Sequence, residues 1–264
     1  MDIRPMFLDL APHNLVGAVL RWCDVANALS FKGLPADSEQ DLLRLWQVCS
    51  VNRSTTLEVL VAERDWTLTL TEAGMVRVTP RIARVGRTSW VVHVDIASTS
   101  GTMLACMQTV FVLLDEQTLS KPQPLPHIDD LRAIVREASP LPSPDVCARP
   151  DDAFVWSCRV RCSDCDLLGH VNNAVYADFF ESARRAGLAA GAITPELPAT
   201  KGASDVHRVL VEYLGQPKAE DVAEVAVWWD AGARTYGVEL VVSGKVMAKG
   251  AIAPQGREST PAKL

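Results

Sequence analysis

The stretch R-C-S-D-C-D-L-L-G-H-V-N-N-A-V-Y-A-D-F-F-E-S-A-R-R, Arg161 to Arg185, decides how the rest of the chain is read. It passes from the end of a strand through a tight polar loop into a helix. The loop holds Asp164, Asp166, Gly169, His170, Asn172 and Asn173. Asn and Gly favour turns, and Asn is a good helix N-cap. From Ala174 onward, Tyr176, Phe179, Phe180, Ala183 and Gly187 recur at helical spacing on one face, and Asp178, Glu181, Arg184 and Arg185 are expected largely outside it. A carboxylate and an imidazole therefore stand just ahead of a helix whose unpaired backbone N–H groups point back toward them. Such a place can polarise a carbonyl oxygen.

A second helix is expected over residues 15–29, L-V-G-A-V-L-R-W-C-D-V-A-N-A-L, with Asn14 as its N-cap. It is apolar except for a narrow stripe at Arg21, Asp24 and Asn27. A helix of that kind must be buried on nearly all sides, and a curved sheet wrapped around it meets the need. Residues 37–53 read as a more peripheral helical or irregular segment. Runs rich in Val, Thr, Ile and Trp then read as strands at 55–60, 66–70, 75–85, 88–97 and 103–114. Seven of the sixteen prolines fall between Lys121 and Pro150, flanking a short helical candidate at 129–137, and mark a linker. After the motif helix and a loop to about Ser204, strands are expected at 206–213, 222–230, 235–243 and 245–252.

The two halves can be laid over each other. D-L-A-P-H at 9–13 matches D-L-L-G-H at 166–170, pairing Asp9 with Asp166 and His13 with His170. Arg87-Thr88 before a strand matches Arg234-Thr235 before a strand. Asp24 stands at the helix position of Glu181. The expected division is an N-terminal unit at 1–118, a Pro-rich linker at 119–150, a C-terminal unit at 151–254 and a polar tail at 255–264. The first half lacks N-N-A-x-Y and has little chain before Asp9 to form a first strand. Asp9 and His13 are either a second active site or a capping relic.

With 264 residues, 48% of them hydrophobic, the chain can fill a sizeable core. The net charge of −6 gives no general reason to expect nucleic acid. Seven cysteines in a chain too long to need stapling read as reduced thiols in a cytoplasmic setting. The spacing of Cys158, Cys162 and Cys165 fits no common zinc pattern, so they read as buried small apolar side chains rather than a metal site. The N-terminus lacks the basic-then-apolar order of a signal peptide, and no apolar run is long enough to cross a bilayer, so no membrane partner is expected.

D-x-D-x-x-G-H-V-N-N-A-x-Y followed by F-E-x-A-R resembles the signature of hotdog-fold acyl thioesterases of the 4-hydroxybenzoyl-CoA thioesterase-like group. It is also similar to acyl-ACP thioesterases, in which two hotdog units lie in one chain. The resemblance implies an α+β double hotdog, each unit a long central helix wrapped by a curved antiparallel sheet. Two units would pair their sheets edge to edge, with the ligand along their interface. It further implies an enzyme that hydrolyses an acyl-CoA or acyl-ACP thioester to the free acid without a cofactor, in one chain or in a homo-oligomer of pseudo-dimeric chains. Asp166 matches the catalytic carboxylate, as general base or nucleophile.

Backbone N–H groups from Gly169 through Val171 to Asn172, with Asn173 beside them, would then hold the oxyanion, and Gly169 would allow close approach of the substrate. His170 either orders the attacking water or fixes the loop. Asn172 and Asn173 also read as caps, Asp164 as structural, and Asp166 itself as a helix-capping carboxylate. Arg84, Arg87, Arg184, Arg185 and Arg234 are candidates for gripping a phosphate of the carrier, or are solvated charges. Plant acyl-ACP enzymes have Asn where Leu168 stands. Their Glu-Tyr has a counterpart in Glu212-Tyr213, and Gln216 stands where an acid is expected. Two other functions remain open. A hotdog hydratase or dehydratase would carry D-x-N-P-x-H, with Asp and His spaced by five rather than four. A non-catalytic acyl-thioester binder would need no reactive carboxylate.

Overall fold

The computed structural model describes residues 2–3, 15–61, 75–145, 147–166, 169–194 and 206–254. The first half supplies β1 (Asp2–Ile3), α1 (Leu15–Asn27), α2 (Ala36–Cys49), β2 (Ser50–Val59), β3 (Val76–Val85), β4 (Ser89–Ser98) and β5 (Met103–Leu113). A short helix, α3 (Ile128–Ala133), follows. The second half supplies β6 (Phe154–Arg159), α4 (Asn173–Ala189), β7 (Val206–Tyr213), β8 (Val222–Asp230), β9 (Thr235–Val242) and β10 (Lys245–Pro254).

The ten strands make one antiparallel sheet in the order β1-β3-β4-β5-β2-β7-β10-β9-β8-β6. Read outward from the β2–β7 seam, each half repeats one path: β2, β5, β4, β3, β1 on one side and β7, β10, β9, β8, β6 on the other. Thr55 faces Val211 across the seam, within a ladder running from Ser54↔Glu212 to Glu58↔Arg208. Although little chain precedes Asp9, a first strand of the N-terminal half does form, as the two-residue β1 on β3.

The helices lie on one face of the sheet. Ala18, Val19, Trp22, Cys23 and Ala26 of α1 are buried, as are Tyr176, Phe179, Phe180 and Ala183 of α4. Burying these faces against the sheet is the main stabilisation, about 1.5–3 kcal/mol for each large apolar side chain. Three polar expectations are corrected here. Asn27 is 1% exposed, not part of a wet stripe. Glu181 and Arg184 are also buried, because they neutralise each other: Arg184 Nε and Nη2 donate to the Glu181 carboxylate at 2.7 Å each, and Arg184 lies over the Tyr236 ring.

The segment after α3 crosses the opposite face of the sheet as a strap. The Arg136 N–H bonds to Ile82 O on β3. Gln108 on β5 donates to Ser139 O and accepts from the Leu141 N–H. Thr56 on β2 meets Ser143. Trp228 Nε1 on β8 donates to Cys147 Sγ, and Arg149 pairs with Glu239 on β9. Capture by β3 explains why the helix expected at 129–137 ends at Ala133. The segment read as 37–53 is instead α2 running straight into β2, which begins at Ser50 rather than Thr55. The motif helix runs two residues past Gly187. The strand expected at 66–70, the tail, and Asp9, His13 and Asn14 lie outside the described residues. No described helix is long and apolar enough to cross a membrane.

Candidate active site

The motif loop is a small hairpin set against the start of α4. The Asp166 N–H donates to His170 O at 2.8 Å, and the Gly169 N–H donates to Asp166 O at 3.0 Å. Gly169 has φ +75, a left-handed conformation that closes the turn and suits glycine. Asp164 is buried and accepts from the Arg161 N–H at 2.8 Å and from its guanidinium. The Asp164 backbone oxygen accepts from the Asn172 N–H, so this residue pins the loop to the helix through its main chain. Asp166, two residues on, is exposed. Asn172 caps α4: its Oδ1 accepts from the Ala174 N–H at 2.9 Å.

The backbone donors expected to hold an oxyanion are largely engaged. Gly169 is used in the turn. The His170 N–H reaches Asp166 Oδ1 at 3.4 Å, the Val171 N–H donates to Pro217 O, and the Asn172 N–H to Asp164 O. Among the described residues, the Asn173 N–H at the first position of α4 is the member of this run without a protein acceptor. The segment after β7 causes the difference, since His170 bridges to Lys218 and Val171 bonds to Pro217. His170 Nδ1 is buried and has no hydrogen-bond partner among the described residues.

Two tyrosines brace this helix start. The Tyr213 OH donates to Asn173 O at 3.2 Å, and the Tyr176 OH donates to Gly215 O at 3.0 Å. Their rings meet edge to face at 5.1 Å. Burial raises both phenols; the Asp166 charge adds to the rise at Tyr176 and the Asp24 charge to that at Tyr213. Glu212-Tyr213 thus supplies a structural tyrosine, while Gln216 is exposed.

The first half also reaches the site. α1 packs on α4 through Gly17, where a Cβ would collide with the Asp178 carboxylate, and through Arg21, whose Nη1 lies 3.0 Å from Asp178 Oδ2. One turn further along α1, Asp24 is partly exposed. Its carboxyl is raised to about 7, first by burial and then by the charge of Asp166. Sequence reading placed Asp24 opposite Glu181 in the repeat but did not place it beside the motif. The stripe shared with Arg21 was the available signal.

A cleft of about 710 Å³ opens beside α4, where Arg21 and Asp178 meet, between Trp156, Arg159, Arg161 and Phe179, reaching Asp164 and Asn172. Of the expected phosphate-gripping arginines, Arg184 is sealed against Glu181, and Arg185 bonds the same carboxylate at 2.6 Å. Arg84 is exposed at the end of β3. Arg87 and Arg234 are exposed in equivalent hairpins, β3–β4 and β8–β9, as the repeat requires. Cys162 is exposed, contrary to expectation, whereas Cys158 and Cys165 are partly buried. No group of three or more His, Cys, Asp or Glu among the described residues is placed to hold a metal ion.

The architecture is the hotdog-like fold of thioesterases. Among solved structures that share it, an acyl-ACP thioesterase from Bacteroides thetaiotaomicron aligns over 97% of this chain and 96% of its own, at 14% identity and a TM-score of 0.67. A 12:0-ACP thioesterase from Umbellularia californica aligns over the same shares, at 14% identity and a TM-score of 0.70. The sequence matches no protein-family model and no curated protein.

Proposed function

We propose that this protein is an acyl thioesterase that hydrolyses an acyl-CoA or acyl-ACP thioester to the free acid, in a double hotdog made of units 1–118 and 151–254 joined by the linker 119–150. One observation carries the reading. An exposed Asp166 stands in a hairpin directly ahead of a helix whose first N–H, at Asn173, has no acceptor among the described residues, on a fold shared with acyl-ACP thioesterases.

Asp166 acts as general base toward water, or attacks the carbonyl directly. The Asn173 N–H, at the positive end of α4, receives the oxyanion; the His170 N–H joins it once its long bond to Asp166 yields. His170 orders the water or holds the turn. The cleft beside α4 suits the pantetheine arm common to both carriers, with Trp156 and Phe179 as walls and the exposed Arg159 and Arg161 at its mouth.

The test offers purified protein a panel of acyl-CoA and acyl-ACP thioesters and follows thiol release. Asp166→Asn is expected to lower turnover at least about 10²-fold. Wild-type protein that binds these thioesters without releasing thiol would make it a binder. Hydration of an enoyl thioester would make it a hydratase.

A further inference from the structure

We propose that Cys162 and Cys165 form a dithiol–disulfide site at the base of the motif hairpin, oxidised by a small-molecule disulfide and restored by a thiol reductant. The site goes beyond the thioesterase reading and does not depend on it.

Cys162-Ser163-Asp164-Cys165 puts two cysteines at i and i+3. The backbone turns that spacing into proximity. Cys162–Asp164 is a single 3₁₀ turn, and the Cys165 N–H closes it on Cys162 O at 3.2 Å. A turn closed in this way holds its first and fourth Cα atoms within about 7 Å. Disulfides span Cα separations of about 4.4–6.8 Å. Side chains at i and i+3 of a 3₁₀ turn eclipse, so the two thiols leave the backbone on one side. The turn is held from both ends. The Asp164 carboxylate accepts from the Arg161 N–H and guanidinium, and Asp164 O accepts from the Asn172 N–H. Cys165 bridges Val171 and directly precedes Asp166, so the bond closes the base of the hairpin.

Exposure sets the order of events. Cys162 is exposed and meets the oxidant first, whereas Cys165 is partly buried. Burial raises the Cys165 thiol, which reserves it for the second, intramolecular step. That thiol rests on Arg161 O at 3.7 Å, a weak contact that a side-chain rotation gives up. The other thiols are poor rivals. Cys23, Cys49 and Cys106 are buried, and Cys147 takes the Trp228 indole N–H. Cys158 lines the cleft beside α4. The extended backbone from Cys158 through Arg161 carries it roughly 13 Å from Cys162, beyond the span of a disulfide.

The steps balance. The Cys162 thiolate, its proton released to solvent, attacks one sulfur of the small disulfide. That S–S bond breaks, and one small thiolate leaves and is protonated. Cys165 gives its proton to solvent and attacks the Cys162 sulfur of the mixed disulfide. The second small thiolate leaves and is protonated. Two protein thiols are oxidised to one disulfide, and one small disulfide is reduced to two thiols.

The test incubates the native full chain with oxidised glutathione, quenches with acid and maps the tryptic peptides by mass. Wild type is expected to lose two hydrogens within peptide 162–184, with no glutathione retained, and to regain them with dithiothreitol. Cys165→Ser is expected to stop with one glutathione on Cys162. Cys162→Ser is expected to leave Cys165 unmodified over the same time. A wild-type protein that keeps glutathione on Cys162, joins peptide 162–184 to the peptide holding Cys158, or does not react overturns the proposal. Should a serine variant fail to fold, the wild-type peptide decides alone. Thioester turnover does not enter the readout, so this test and that of the thioesterase reading fail separately.

Discussion

Arg21 and Asp178 are each other's counterparts in the two halves, and they meet in an ion pair at 3.0 Å. In an assembly of two identical chains, a residue on the axis faces itself, and an arginine there would face an arginine. Joining the halves in one chain lets the axis hold opposite charges.

That pair is expected to add little stability. Its side chains are 41% and 32% exposed, and such pairs are worth about 0.2–1 kcal/mol. A double-mutant cycle with Arg21→Ala and Asp178→Ala, followed by urea unfolding, should give a coupling within that range.

The Glu181–Arg184 pair should behave differently. Arg184 is 1% exposed. Removing Glu181 as Glu181→Ala strands a buried guanidinium and should cost about 3–5 kcal/mol. Equilibrium unfolding reads this directly. A loss below about 1 kcal/mol would show that water had taken up the donors freed on Arg184.

Asp24 links stability to pH. In the folded protein its carboxyl is lifted from the ordinary 3.8 to about 7. Between those values the folded protein holds a proton that the unfolded chain has released. The contribution of Asp24 is therefore fully present below about 4 and is lost as pH rises through about 7. Asp24→Asn should match wild type near pH 4 and be the more stable protein above pH 7, in thermal or denaturant unfolding followed across that range.

Asn27 is a buried amide with neither its oxygen nor its nitrogen partnered among the described residues. Leaving such a group dry costs about 1–3 kcal/mol. Asn27→Leu, of similar size, should recover much of that as a higher urea midpoint. No gain would indicate that an ordered water satisfies the amide.

The parts legible in the sequence are those with a local signal. The motif places Asp166, the Asn172 cap and the Gly169 turn within one hairpin. The strands of the second half follow their β-branched runs to within two residues. The repeat was visible because Asp9 and His13 keep their spacing. What stayed hidden depends on distant partners. Nothing near Val171 shows that Pro217 takes its N–H, so the open amide falls at Asn173 instead. Glu181 and Arg184 look like surface charges because only their mutual neutralisation lets them be buried. Asp24 gains its meaning from a loop more than half the chain away.

The strap from α3 to β6 has a consequence for assembly. It fixes the first half against the second across nearly the whole width of the sheet, so their encounter is intramolecular, at an effective concentration in the millimolar range for short flexible connections. Dilution cannot part the halves, and the β2–β7 seam can be weaker than the interface of two separate chains.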